Sequence, residues 1–351
     1  MIKSFSLHIQ RISKHYSVQV LIIFGIFTIL LLPLLFETYR TNAFDTVPRD
    51  PYEPYLLYLA GEEQGFLPGS PFAYRILSIV PALVPFKLID APVLSQIESP
   101  NQIWLNAVFA NAVISYLSVV SLSSIMYLIV RDRMGCSMMT AISSALAVPI
   151  LHGFTGVYLT DPFVILYLFV TFAALKRFWI WIPMIIVGVG VNEKIPLIFA
   201  IYSLLTLIHL RNKKTYLTFA CSFAACIIYV LIRHMLNFPG YENQTDVTTF
   251  LAGFWNSFEM SLSAKGIMRN FIPIMIMLVI AGTAVLAKEK NQEHPILPSH
   301  VFLVVALAFV SFATDVQMNV GRNVMHLFPL FLPQFFRWCE ESITQTRGRK
   351  L

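Results

Sequence analysis

The side chains of this 351-residue sequence that could do chemistry are single acids and bases placed where apolar runs meet. Asp45, Asp50 and Glu53 lie in the proline-rich stretch Phe44-Asp45-Thr46-Val47-Pro48-Arg49-Asp50-Pro51-Tyr52-Glu53-Pro54-Tyr55, and Tyr74 and Arg75 in Pro71-Phe72-Ala73-Tyr74-Arg75-Ile76-Leu77. Asp161 precedes Pro162, Glu193-Lys194 interrupt Val191 to Pro196, Asp315 follows Thr314, and Arg322 sits in Gly321-Arg322-Asn323. A carboxylate beside cations at the edge of an apolar phase can take the proton of a hydroxyl while the cations hold a phosphate leaving group. Asp50, and after it Asp45, fit the base. Arg75, Lys194 and Arg322 fit the phosphate, the arginine fork being matched to two oxygens at once. Glu53, Tyr74, Asp161, Glu193 and Asp315 complete the substrate-binding set.

Each of these residues also has an ordinary structural use. Asp161-Pro162 suits a helix start, Glu193-Lys194 a self-neutralising turn, and Asp315 and Arg322 a wetted loop. Arg75 can snorkel to headgroups from an interfacial helix. His152 and His326, inside apolar runs, read as helix-packing hydrogen-bonders before they read as ligands. No H-E-x-x-H or other metal-ligand spacing, Gly-rich phosphate loop or G-x-S-x-G elbow is present. No motif requires a cofactor, and a divalent metal is left open. The four cysteines (Cys136, Cys221, Cys226, Cys339) form no C-x-x-C pair and suggest neither a disulfide framework nor a zinc site.

The elements that must carry these residues are membrane helices. Hydrophobic residues make up 57% of the chain and charged residues 13%, with a mean hydropathy of +0.69, well outside the range of soluble domains. The net charge of +6 comes from short basic clusters between apolar runs. That pattern is a topology signal, and it excludes a nucleic-acid surface. The first run, Val18–Phe36, has no small-x-small cleavage site after it and reads as a retained anchor. Ile76–Ile89 is short and broken by Pro81, Pro85 and Lys87. Counting it as a span would put Arg131-Asp132-Arg133 outside, so it reads as an interfacial or re-entrant helix.

Spans are then expected near 18–36, 103–130, 138–159, 162–175, 178–192, 195–210, 215–235, 270–287, 298–314 and 323–338. The predicted fold is an all-α polytopic transmembrane bundle of about ten spans, forming a single membrane domain over 1–351. It has a cytoplasmic N-terminus (1–17), a large first outer loop (37–102) carrying interfacial helices, a second outer loop (236–269) and a cytoplasmic tail (339–351). Inner ends collect sixteen of the 25 lysines and arginines. All the candidate site residues then fall on the outer face. Their shared side is what raises them above their ordinary uses.

At this point the sequence resembles the GT-C-type integral membrane glycosyltransferases, in particular compact bacterial polytopic members that build cell-surface glycopolymers. The resemblance rests on the acidic first outer loop (Asp45, Asp50-Pro51-Tyr52-Glu53-Pro54-Tyr55), on the P-F-x-Y-R-x-L segment Pro71–Leu77, and on an arginine before an aromatic-proline helix (Gly321-Arg322-Asn323, Phe328-Pro329). It implies a bacterial cytoplasmic-membrane enzyme that transfers a sugar from a polyprenyl-phosphate donor to a glycan or lipid acceptor, with Asp50 or Asp45 as the catalytic acid residue. The family's adjacent acidic pair is absent; the carboxylates here are spread over 45, 50 and 53. Two other readings stand beside it: a transporter or flippase of lipid-linked or anionic solutes, and a non-catalytic subunit of a glycopolymer assembly complex. The partners expected are the lipid-linked donor, the acceptor and membrane lipids, with no nucleic acid.

Overall fold

A computed structural model describes residues 18–43, 52–68, 75–92, 101–153, 160–175, 177–236, 247–287, 297–314 and 319–348. Among these residues the secondary structure is entirely helical. Three helices are long and apolar enough to cross a membrane: Gln102–Arg133, Lys213–Leu236 and Ala264–Leu286. A fourth is reached if α1 (Val18–Leu30) and α2 (Leu32–Ala43), which meet at 46°, form one broken span. Shorter apolar helices make up the rest of the bundle, among them α7 (Met138–Gly153), α8 (Asp161–Ala174), α9 (Phe178–Val191) and α10 (Lys194–His209).

The first helix departs from its expected end. Sequence reading closes it at Phe36, yet α2 continues to Ala43. Pro33 lacks the N–H of a regular helix turn and lies next to the bend. Beyond it, Tyr39 is buried edge-on against Phe109 and donates to the Pro92 carbonyl at 2.8 Å. Those contacts hold the polar turn Glu37–Arg40 in helix after the apolar run has ended.

The central element is α6 (Gln102–Leu128), extended by a π-helical turn, Ile129–Arg133. Asn101 caps it by accepting the Trp104 N–H. Small residues along it (Ala107, Ala110, Ala112, Ser115, Ser118) are buried and let neighbouring helices approach closely. It packs against α2, α7, α8, and the helices of the first loop, α3 (Tyr52–Ala60) and α5 (Leu83–Leu88).

Those loop helices have a small core of their own. Tyr52, Tyr55, Leu56, Leu57, Ile79 and Ala82 close over Ala107 and Ala110 in the first turns of α6. Gly61, at φ +84°, ends α3 with a backbone turn that favours glycine. The segment Ile76–Leu88 is broken into α4 (Ile76–Ile79), a 3-10 turn (Val80–Ala82) and α5. Leu77 of α4 comes so near Gly190 of α9 that a Cβ there would stand 2.9 Å from Leu77 Cδ1.

The remaining helices are α11 (Lys213–Leu236), α12 (Val247–Ser261), α13 (Ala264–Gly266), α14 (Ile272–Leu286), α15 (Val301–Thr314), α16 (Val320–Met325) and α17 (Phe328–Gly348). A second π-helical turn, Ile267–Phe271, joins α13 to α14. At the end of the bundle away from the first loop, the Ser137 N–H is held by both carboxylate oxygens of Glu340, at 3.0 and 2.9 Å. There also Thr206 bonds His300 at 2.9 Å, and Ser299 donates to the Leu205 carbonyl.

Candidate functional site

At the first-loop end, five charged residues from four separate parts of the chain meet. Arg75, just before α4, grips Glu193 in a fork: its Nε donates to Oε2 at 2.8 Å and its Nη2 to Oε1. The Nη1 of the same guanidinium donates to the Tyr52 hydroxyl at 3.2 Å. Glu193 occupies the break between α9 and α10. Burial works against its charge, but the Arg75 guanidinium, with Lys194 beside it, pulls the carboxyl down to about 2.

The next residue begins α10 and turns to a different neighbour. The Lys194 Nζ donates to Oδ1 of Asn323, and its backbone N–H to Oδ1 of Asn192 at 3.1 Å. Asn323 in turn donates to Ser311 at 3.2 Å. Adjacent Arg322 makes the second fork, with Nε on Oδ2 and Nη2 on Oδ1 of Asp161, the latter at 2.8 Å. Asp161 is the first residue of α8, where the helix dipole favours a negative charge. His326 Nε2 stands 3.6 Å from the same Oδ1.

The result is one continuous chain of groups: Tyr52, Arg75, Glu193, Lys194, Asn323, Arg322, Asp161 and His326. Side-chain exposure is 9% for Arg75 and 19% for Glu193, against 15% for Arg322 and 2% for Asp161. Both pairs are therefore shielded, with Glu193 and Arg322 the more open members. The set gathers the cations Arg75, Lys194 and Arg322 with the carboxylates of Glu193 and Asp161, and guanidinium and ammonium groups are the usual partners of phosphate oxygens.

The shielding also bears on purpose. A buried ion pair gains little over an apolar pair of the same shape, because desolvation offsets the attraction. Two such forks joined through Lys194 and Asn323 are a costly way to hold helices together. Ionisable groups buried at that cost are functional candidates.

Five predicted site residues, Arg75, Asp161, Glu193, Lys194 and Arg322, are thus brought together. Glu53 is buried in the first turn of α3, one residue from Tyr52. Asp45, Asp50, Tyr74 and Asp315 lie outside the described residues. The self-neutralising turn considered for Glu193-Lys194 is replaced by two separate bonds, because the break between α9 and α10 sends successive side chains to different neighbours. Asp161 is spent on Arg322, not on capping α8.

Sequence reasoning passed over Tyr52, Asn192, Asn323 and the role of His326. The last had a usable signal, since His326 follows Arg322 by four residues and so shares its helical face. His152, near the end of α7, is within electrostatic reach of Asp161 and His326 and lines a crevice with Pro162 and Phe328. Among the described residues, no three of His, Cys, Asp and Glu are grouped so that they could hold a metal ion. No family model, curated protein or solved structure matches this chain.

Proposed function

We propose that the chain is a membrane glycosyltransferase of the GT-C type, moving a sugar from a polyprenyl-phosphate donor to a glycan or lipid acceptor at the outer face of a bacterial cytoplasmic membrane. The observation that carries this reading is the meeting of Arg75, Lys194 and Arg322, with two carboxylates between them, at the end of an apolar bundle covered by the first loop. A donor of this kind keeps its hydrocarbon tail in the bilayer and presents its phosphate at the interface. Two guanidinium groups and an ammonium gathered at a bundle end match that partition.

In this reading about ten spans cross the membrane with both termini cytoplasmic, and the shorter helices tuck against longer neighbours or sit where the bilayer thins. Glu193 and Asp161 orient the Arg75 and Arg322 forks, and the phosphate approaches from the side of Lys194. Asp50, or else Asp45, takes the acceptor proton, and Glu53, Tyr74 and Asp315 contribute to substrate binding. Sidedness supports the proposal. The cluster sits at the opposite end from Ser137–Glu340 and Thr206–His300, and that far end is where the clusters Arg131–Arg133 and Arg211–Lys214 belong on charge grounds.

The test is surface glycan production by membranes carrying Asp50→Asn or Asp45→Asn, with protein levels matched. At least one variant should abolish it; full production in both would remove the proposed base. Mass spectrometry of lipid co-purified with the wild-type protein should find a polyprenyl-phosphate sugar.

A further inference from the structure

Arg322 and Asn323 sit on α16, a helix of six residues. Its N-cap residue, Asn319, makes no side-chain capping bond. The Gly321 N–H, which a cap would ordinarily satisfy, is bonded instead by Oδ1 of Asn270 at 3.2 Å. Asn270 is fully buried in the π-helical turn Ile267–Phe271, and its Nδ2 donates to Ser261 Oγ at the end of α12.

The packing around this bond is close. A Cβ on Gly321 would fall 2.1 Å from the Arg269 carbonyl oxygen and 2.9 Å from both Asn270 Cα and Pro273 Cγ. Pro273 has no N–H to return to the carbonyl of Arg269, four residues before it. The π-helical turn absorbs that break, and α16 lies against the backbone it exposes. One side chain thus joins three elements: α12, the π-helical turn and α16.

We propose that Asn270 is a positioning residue for the charged cluster. By capping α16 from another helix it sets the rotation and height of that helix, and so the placement of the Arg322 fork on Asp161 and of Asn323 on Lys194. The inference rests on the reading of this cluster as the transferase site.

The test is a double-mutant cycle on melting temperature between Asp161→Asn and Arg322→Gln, using the full-length protein in nanodiscs. It is repeated in Asn270→Ala and Ser261→Ala backgrounds. The coupling should fall to less than half in Asn270→Ala and persist in Ser261→Ala, which leaves the acceptor for Gly321 in place. Undiminished coupling in Asn270→Ala overturns the proposal, as does an equal loss in both, which would mark a mere latch on α12. If Asn270→Ala does not accumulate, hydrogen exchange of the wild type decides. Protection of the Gly321 amide at the level of mid-helix α17 amides is expected; exchange at the rate of an uncapped first-turn amide overturns it.

Activity separates this inference from the one beneath it. With a polyprenyl-phosphate sugar as donor, Asn270→Ala should lower kcat/KM on the order of 10²-fold, as a misplaced substrate clamp does. Ser261→Ala should stay near the wild type. Absence of transfer by the wild type would overturn the transferase reading, and the cycle would still decide the role of Asn270.

Discussion

An arginine fork closed on a buried carboxylate leaves a stranded charge when either partner is removed. Asp161→Asn or Arg322→Gln alone should therefore destabilise the protein by about 3–5 kcal/mol. The double variant should lose much less than the sum, which thermal unfolding in detergent would read. The Arg75–Glu193 pair makes a pH prediction. The Glu193 carboxyl is held near 2 in the folded protein, below its ordinary value of 4.5. A depressed folded value gives stability that is fully present above 4.5 and lost as pH falls through about 2. The stability difference between wild type and Glu193→Gln should stay constant from neutral pH down to about 5 and shrink only below 4.5. A difference that shrinks already between pH 7 and 6 would contradict this. The types and places of these residues were legible in the sequence. Their pairing was not, because Arg75 and Glu193 are 118 positions apart and Arg322 and Asp161 are 161 apart.

At the scale of elements, the breaks between helices decide what reaches the site. Proline and polar residues mark those breaks in the sequence, as at Asp161-Pro162 and Glu193 to Pro196, so the junctions could be read in advance. The π-helical turn at Ile267–Phe271 could not, since hydrophobic periodicity does not register one inserted residue. Its tight contact with α16 gives a contrast between two glycines. Gly321→Ala pushes a methyl into a backbone carbonyl that cannot yield, and should cost about 1–3 kcal/mol or more. Gly282→Ala in α14 meets nothing within 4 Å, and should be neutral or stabilise by up to about 1 kcal/mol through helix propensity. Melting temperatures of the two variants would order them. The reverse order would contradict the packing described for Gly321.

For the molecule as a whole, the reading of Ile76–Ile89 as a segment that does not cross carries the topology. Its three short pieces pack on the first turns of α6 and beside Gly190 of α9. Reporter fusions should place residue 90 outside and residue 131 inside; residue 90 reporting inside would invert every later helix and disperse the proposed outer face. Apolar helices with charges at their junctions could be read from the residues alone, because transfer of apolar surface and the siting of basic clusters depend on local composition. Packing set what composition could not: that Arg75 and Arg322 belong to one linked cluster of charges, that Lys194 bonds Asn323, and that Asn270 caps α16. These are contacts between groups far apart in the chain, and they depend on the rotation of each helix about its own axis, which packing sets and composition does not.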